Sequence, residues 1–395
     1  MSITSKISKI LKFYKGLKKV DILIWDDIFP HPISGFRYEE FKEILSEFRN
    51  SKIIVHPKSY HLVGSNKSEH VNHVKDLYRK KNSLVGRISQ LKRFNNINAK
   101  LFYCVFLNNI ITNLSWLESH KTPFIFTLYP GGGFQVNSES VDEKLTTVFN
   151  SPMFRKVIVT QKFTRDYLIE KSLCKPKDIE LIFGCVVPQN SINNNIEEKP
   201  FYKKGKDTFD IVFCAAKYTS QGQDKGYDTF IDFAKSISTK YDFVRFHVIG
   251  GFDKSVIDVT IIEDLIKFYG YINFDNLSKI YRQMDVIISP NKPFILRPGA
   301  FDGFPLGTVV EAALNGVVPV ISDALNENNY FEDGEEILII ENTSDSIQEN
   351  IELLINNPKL IVELAKNSKA KFSHIYNNNF QVEKRLRILA KEFNN

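Results

Sequence analysis

The sequence predicts an α/β protein of two domains, each a parallel sheet covered by helices on both faces. The chain has 395 residues, which is more than one common core accommodates, so two domains of under about 200 residues each are expected. Short β-branched segments alternate with helical patterns along most of the chain, which is typical of parallel sheets. A polar stretch at residues 188–208 is poor in apolar residues, which predicts a linker and a domain boundary near 190–205.

The composition indicates a folded protein of a reducing compartment. Charged residues make up 25% of the chain and the net charge is +6, which is too mild to indicate a nucleic-acid partner. The cysteines are far apart and lack a CxxC spacing, which favours free thiols over disulfides or zinc. No apolar run reaches the roughly 20 residues of a membrane span, and no cleavable signal peptide is visible. We therefore expect a cytoplasmic protein. The cysteines are Cys104, Cys174, Cys185 and Cys214.

Residues 3–19 place isoleucines, leucines and a tyrosine on one helical stripe surrounded by lysines. This predicts a basic amphipathic helix over residues 1–19. Such a helix can lie on the anionic inner face of a membrane, or it can pack on the first domain with solvated lysines. The sequence leaves both interpretations open.

The first domain is predicted over residues 20–190. Gly35 stands where the first strand gives way to its helix, a position where α/β folds bring the backbone close to ligands. His70 and His73 are three residues apart but have no acid or thiol partner at a matching spacing, so no metal site is predicted. Predicted strands cover 20–25, 51–56, 101–107, 124–128, 157–160 and 179–183; predicted helices end near 48, lie near 68–80 and 84–94, and cover 110–119 and 162–171.

The strand at 124–128 runs into the segment TLYPGGGF, residues 127–134. Three consecutive glycines cost backbone entropy, and they are expected where a ligand or a facing domain approaches closely. The segment is neither a P-loop nor a GxGxxG motif. An alternative interpretation is a simple turn beside a packed Tyr129.

The second domain is predicted over residues 205–375, and its most informative stretch is 301–323, FDGFPLGTVVEAALNGVVPVISD. It predicts a loop, a helix from about Thr308, a stop at Gly316 and a buried strand. A helix N-terminus at the carboxyl ends of parallel strands favours an anion such as a phosphate. Asp302 and Glu311 can accept hydrogen bonds from vicinal hydroxyls, which indicates a sugar and a ribose on either side of the phosphates.

This stretch resembles the donor-binding motif of retaining glycosyltransferases of family 4. The resemblance implies the GT-B fold, in which two Rossmann-like, doubly wound domains face a central cleft and a final helix, here 376–395, crosses back to the first domain. It also implies that Glu311 holds a ribose and Asp302 a hexose, next to Gly303, Phe304 and Pro305. The two acids are nine positions apart instead of eight and the first is Asp instead of Glu, so a bulge near 306–307 is expected.

The resemblance extends to the groups that hold the donor diphosphate. Lys225-Gly226 matches the Lys-Gly that opens a helix in relatives, and Lys217 stands where they carry an arginine. Lysine neutralises a phosphate as a point charge but lacks the bidentate fork of arginine. Many relatives carry a histidine at the position of Tyr129, and tyrosine cannot titrate near neutral pH. Tyr129, Asp302 and Lys225 are the candidate catalytic residues.

Three further residues are implied as parts of the donor site. Gly35 would face the acceptor and the diphosphate, and Tyr271 would border the nucleobase. Arg297 is placed to meet an anion or to pair with Asp302. No DxD-like acidic pair is present in a loop, so we expect no metal and no cofactor besides the nucleotide-sugar substrate.

The resemblance therefore implies a glycosyltransferase, an EC 2.4 enzyme that moves a sugar from a nucleotide diphosphate sugar to an acceptor hydroxyl. The implied setting is surface polysaccharide, lipopolysaccharide or lipid-linked glycan synthesis, with the enzyme cytoplasmic or peripheral on the membrane. One alternative is a sugar-nucleotide 2-epimerase of the same fold, for which Asp26, Asp27 and His31 are the only first-domain candidates. Another is a non-catalytic subunit that retains the fold.

Overall fold

The computed structural model describes residues 18–31, 34–56, 59, 72, 75–76, 83–90, 97–189, 192, 195–272 and 274–394. The amphipathic helix predicted from residue 3 falls outside these ranges, apart from Lys18 and Lys19, which begin a strand instead. His70 and His73 also lie outside the described residues. Within these ranges, no helix combines the length and the apolar character that crossing a bilayer requires.

The first sheet has seven parallel strands in the order β3-β2-β1-β4-β5-β6-β7. Its central strands are buried on both faces, as expected when helices cover a parallel sheet. The strands are β1 Lys18–Asp26, β2 Ser51–Val55, β3 Ile88–Gln90, β4 Ile97–Val105, β5 Phe124–Leu128, β6 Phe154–Val159 and β7 Ile179–Leu181. The helices are α1 Gly35–Glu47, α2 Leu107–Ser119, α3 Glu139–Phe149 and α4 Lys162–Glu170.

Two elements of this domain differ from the sequence prediction. The helix predicted near 84–94 is wrong over its described part, since a short 3-10 turn, Ser83–Arg87, leads into β3. Ile88 pairs with Ile53 at the sheet edge and is buried, so tertiary pairing overrides the local pattern. The second difference is α3, which was not predicted; it buries Val141, Leu145 and Val148 at helical spacing.

The second sheet has six parallel strands in the order β12-β11-β10-β13-β14-β15. A two-stranded ladder, β8 Phe201–Tyr202 with β9 Gly205–Lys206, precedes it. The sheet strands are β10 Phe209–Ala215, β11 Val244–Gly250, β12 Ile266–Phe268, β13 Val286–Ser289, β14 Val318–Ser322 and β15 Leu338–Ile340. The helices are α5 Tyr227–Ser238, α6 Phe274–Tyr281, α7 Gly307–Leu314, α8 Ser344–Asn356 and α9 Pro358–Ile375.

Both sheets reverse their strand order beside their first long strand. In the first sheet β1 lies between β2 and β4, and in the second β10 lies between β11 and β13. Ligands of doubly wound sheets bind at such a reversal, outside the carboxyl ends of the strands. The two Rossmann-like sheets confirm the predicted fold class.

The last helix, α10 Asn378–Asn394, packs against the first domain. Leu389 is fully buried in a cluster with Phe41 and Ile44 of α1. The guanidinium Nε of Arg385 lies 3.5 Å from Oε2 of Glu40, and each side chain is 1% exposed. Glu40 also accepts hydrogen bonds from the hydroxyls of Tyr103 and Tyr129. A buried ion pair therefore fastens α10 to α1.

We predict that Arg385→Met, which keeps most of the side-chain volume, lowers the free energy of unfolding by about 3 kcal/mol, because it leaves Glu40 buried without its cation. Arg387→Met is the matched control: Arg387 lies on the same helix and pairs with Glu383 at 2.6 Å, but its side chain is 76% exposed. The control should lose under about 0.5 kcal/mol. Urea unfolding measures both, and equal losses would contradict the role of the buried pair.

Candidate active site

A cleft of about 540 Å³ lies between the two domains at the carboxyl ends of both sheets. The first domain contributes the start of α1 and the segment after β4; the second contributes the loop after β10 and the start of α7. We call this cavity the donor cleft. Predicted residues that line it are Gly35, Lys225, Tyr271, Asp302 and Glu311.

Lys225 and Asp302 form an ion pair in the donor cleft. Lys225 is 5% exposed and ends a 3-10 turn, Gln223–Lys225. Gly226 follows with a φ of +68°, and a Cβ there would lie 2.0 Å from the Pro290 carbonyl oxygen, so only glycine fits this turn. Burial lowers the pKa of Lys225, but the carboxylate of Asp302 outweighs it and the net pKa is raised. The ammonium is therefore charged at neutral pH.

Glu311 lies one turn inside α7, and its half-buried side chain faces the same cleft. No described residue donates a hydrogen bond to its carboxylate, and burial raises its pKa to about 7. The start of α7 is anchored by Thr308, whose Oγ1 donates to the Cys214 carbonyl at 2.9 Å. Leu306, the residue before the helix, supplies no side-chain cap. The carboxylate and the first amides of α7 are thus available to a ligand.

The segment around Asp302 is held against the first domain by three contacts. Phe301 is 4% exposed and lies between the rings of Phe134 and Phe163, at centroid distances of 5.8 and 5.2 Å. Gln161 Nε2 donates to the Phe304 carbonyl at 3.1 Å. The Val136 amide donates to the Gly299 carbonyl at 2.9 Å. These contacts fix Asp302 relative to both domains.

The other residues of the predicted donor loop have different surroundings. Gly303 and Pro305 line a second cavity that adjoins the donor cleft. A Cβ at Gly303 would lie 2.7 Å from Gln161 Nε2, so glycine allows this close approach. Phe304 is buried in the core of the second domain.

Two predicted cations lie away from the donor cleft. The Cβ of Lys217 faces Gly251, and its charge acts on nearby Asp253. Arg297 is exposed, and its side chain lines neither of the two adjoining cavities. Tyr271 is 51% exposed at the rim of the cleft. The structure therefore brings together Lys225, Asp302 and Glu311, with Tyr271 at the edge.

Tyr129 directs its hydroxyl into the protein. The hydroxyl donates to Glu40 Oε2 at 2.8 Å and lies 3.4 Å from Arg385 Nη2. Burial, together with the negative charge of Glu40, raises its pKa well above the ordinary value. Its ring lines the second cavity. Tyr129 therefore presents its aromatic ring to the second cavity. Its hydroxyl contacts the buried ion pair of Glu40 and Arg385.

The glycine run after β5 packs closely inside the first domain, and Gly132 also lines both the donor cleft and the second cavity. A Cβ at Gly132 would lie 2.2 Å from Phe106 Cδ1, and one at Gly133 would lie 2.2 Å from Asn108 Oδ1. Gly131 has nothing within 4 Å of such a Cβ and lines the second cavity. The expected close approach therefore occurs within the domain, at the start of α2.

Several first-domain groups at the cleft were missed or only noted in passing. Asn109 is buried, lines the donor cleft, and its Nδ2 has no partner among the described residues. It lies in the first turn of α2, which follows β4, so its place near the carboxyl end of a strand was the available signal. Arg37 donates to Asp26 at 3.1 Å and to Asp27 at 2.6 Å. Both aspartates are therefore engaged, which disfavours the acid set that a 2-epimerase would need.

Glu327 was also missed. It is 6% exposed and its Oε1 has no partner in the described part of the chain. Burial, with Asp323 and Asp302 nearby, raises its pKa to about 8. Nothing in the local sequence distinguishes it from a surface acid. Within the described ranges, no three His, Cys, Asp or Glu side chains are grouped to hold a metal.

Comparison with known proteins identifies the second domain. Residues 196–371 match the family described as glycosyl transferases group 1. These residues form a glycosyltransferase group 1 domain. No curated protein sequence matches the chain. The match begins before β8, ends within α9 and includes Lys225, Asp302 and Glu311.

Solved structures share the fold over nearly the whole chain. HepE from Anabaena, in complex with UDP and glucose, has a TM-score of 0.68 at 13% identity, covering 95% of this chain and 100% of that one. The UDP-glucose complex of HepE has a TM-score of 0.65 at 14% identity, covering 94% and 98%. Sucrose-phosphate synthase from Thermosynechococcus elongatus has a TM-score of 0.67 at 13% identity, covering 94% and 98%. These structures confirm the predicted GT-B fold. The group 1 match over residues 196–371 confirms the prediction of a glycosyltransferase.

Proposed function

We propose that the chain transfers a sugar from a nucleotide diphosphate sugar to an acceptor hydroxyl, with retention of configuration and without a metal ion, as a member of family 4. The observation that carries this proposal is the placement of Lys225, Asp302 and Glu311 in one cleft between the domains, beside the N-terminus of α7. A cation and a helix N-terminus suit a diphosphate, and the two carboxylates suit hydroxyl groups on either side of it.

The cleft supplies the electrostatic stabilisation that this reaction needs. Breaking the glycosidic bond leaves negative charge on the departing diphosphate. Lys225 and the first amides of α7 would stabilise that charge from fixed positions, and stabilisation of this kind accounts for much of the rate enhancement in many enzymes. Lys217 lies outside the cleft, so its proposed phosphate contact requires that its side chain swing in when donor binds.

The remaining roles follow from position. Glu311 would accept the ribose hydroxyls, and Tyr271 at the rim would border the base. Asp302 would accept a hydrogen bond from a hexose hydroxyl, and this bond would replace part of its contact with Lys225. The UDP and UDP-glucose bound to HepE, a protein of the same fold, support a nucleotide-sugar donor here. Closed domains would exclude water and suppress donor hydrolysis.

We propose surface polysaccharide or lipid-linked glycan synthesis as the setting, at the inner face of a membrane that residues 3–19 would contact. The support is the lysine-rich pattern of those residues and the basic net charge.

We predict that Lys225→Ala and Glu311→Ala each reduce transfer from the donor by about a hundredfold, the typical effect of removing one fixed charge-stabilising or orienting group. UDP-glucose serves as the probe, with release of UDP and the donor-induced rise in melting temperature as readouts. Lys254→Ala is the control, because Lys254 is 75% exposed and pairs with Glu263 at 3.1 Å. Full activity in both site variants would refute the proposed function.

We also predict that affinity for UDP-glucose rises about tenfold between pH 6 and pH 8. Glu311 has a pKa of about 7, and ribose hydroxyls would donate to its ionised form, so binding below pH 7 must first remove a proton. UDP-glucose lacks the terminal phosphate that titrates near pH 6 in free UDP. Glu311→Gln should flatten the profile, and an unchanged slope in this variant would exclude Glu311 as the titrating group.

A further inference from the structure

A small cavity of about 40 Å³ adjoins the loop of residues 302–306. We call this loop the donor loop and this cavity the rear cavity. Its other walls are the ends of β13 and β14 and the segment that follows β14, as far as Glu327. Asp302 lines both the rear cavity and the donor cleft. A group that acts on Asp302 from the rear cavity therefore acts on the donor site.

Three carboxyl groups line the rear cavity: Asp302, Asp323 and Glu327. Asp323 accepts the Glu327 amide at 2.7 Å on one oxygen and the Asn328 amide at 3.0 Å on the other. Asp302 pairs with Lys225. Glu327 is 6% exposed, and its Oε1 has no hydrogen-bond partner in the described part of the chain. Two of the three carboxyl groups are thus compensated by donors, and Glu327 is not.

The charges that face Glu327 are negative. Lys292 lines the rear cavity, but its Nζ lies 2.8 Å from Asp228, and Lys225 lines the donor cleft instead. Burial, followed by the charges of Asp323 and Asp302, raises the pKa of Glu327 to about 8. Neighbouring carboxyl groups in a buried space cannot all ionise. The proton therefore stays on the group without compensation, and Glu327 is neutral at pH 7.

A proton on Glu327 also supplies a hydrogen-bond donor that the rear cavity needs. The side-chain oxygens Glu327 Oε1 and Asn291 Oδ1 both line it, and neither has a partner among the described residues. An ionised Glu327 would add only acceptors, whereas a protonated one adds an O–H group. The rear cavity has room for a water molecule, which can relay this hydrogen bond. Geometry and charge thus favour the same protonation state.

We propose that Glu327 is a positioning residue: as a neutral carboxylic acid, it supports Asp302 from behind the donor loop while donor is bound. The inference rests on the proposed function, in which Lys225 shares its charge with the diphosphate and Asp302 loses part of its cation. A neutral Glu327 places no second uncompensated carboxylate beside Asp302 at that moment. Ionisation of Glu327 would repel Asp302, displace the donor loop and misplace the hexose.

The first test is the pH dependence of kcat, measured as UDP release at saturating UDP-glucose, so that the effect of Glu311 on affinity does not enter. We expect the wild-type kcat to fall about tenfold between pH 7 and pH 9, because Glu327 ionises over this range. Glu327→Gln keeps a neutral donor at the same place. Its kcat at pH 7 should stay within about twofold of wild type and should not fall as the pH rises.

Two further variants make this test specific. Glu327→Ala removes the hydrogen-bonding group, so it should lower kcat about tenfold at pH 7 by loosening the donor loop, and the activity of Glu327→Gln would then show that a neutral polar group suffices. Glu335→Gln is the matched control, because Glu335 is an exposed acid of the same segment that does not line the rear cavity. The control should keep the wild-type pH profile.

The second test does not depend on activity. The pKa of Glu327 is about 8 in the folded protein and has an ordinary value of 4.5, so Glu327 makes folding less favourable as the pH rises between these values. Glutamine does not titrate. Glu327→Gln should therefore melt at a higher temperature than wild type at pH 8, and the difference should widen from pH 5 to pH 8. In the Asp302→Asn background the difference should shrink, because one facing carboxylate is gone.

Three results would overturn the inference: an alkaline fall in kcat that persists in Glu327→Gln, a loss of activity at pH 7 as large in Glu327→Gln as in Glu327→Ala, or a melting difference that does not change with pH. Failure of the proposed function looks different. In that case wild type releases no UDP and UDP-glucose does not raise the melting temperature. A pH-dependent melting difference that responds to Asp302→Asn would still support Glu327 as a neutral acid coupled to Asp302.

Discussion

The burial of Phe301 in the first domain is the contact on which the rest of the site depends. Phe301 belongs in sequence to the second domain, yet its ring lies among Phe134, Phe163 and other buried residues of the first. Asp302 follows it directly, so apolar packing sets the position of its backbone, and Lys225 then holds its carboxylate. Gly299 and Gly303 allow the approach, because a Cβ at either would meet first-domain atoms within 3 Å.

The charges in the cleft form one ion pair, Lys225 with Asp302, and one separate carboxyl group, Glu311. Lys225 is buried and pairs with Asp302. In the proposed donor complex, the diphosphate would pair with Lys225 and a sugar hydroxyl would donate to Asp302. Glu311 has no such partner among the residues that the structure describes, and burial raises its pKa to about 7. The site thus combines one preformed ion pair with one carboxyl group that burial makes easier to protonate.

The sequence was sufficient for features that lie within one short stretch. Asp302, Glu311 and the helix between them are local, and so is the Lys225-Gly226 turn. Phe301, Gln161 and Asn109 could not be assigned, because their positions at the cleft depend on which segments of the two domains meet. The hydroxyl of Tyr129 could not be assigned a partner from the sequence, because that partner, Glu40, is 89 residues away. The strand β3 was missed because its stability comes from pairing with β2, not from its own pattern.

The position of helix α10 affects when the first domain can finish folding during synthesis. Arg385 and Leu389 complete the interior of the first domain, although almost the whole second domain precedes them in sequence. During synthesis the first domain leaves the ribosome early, with Glu40 lacking its cation and a groove open beside α1. Its core can be completed only after α10 has been synthesised.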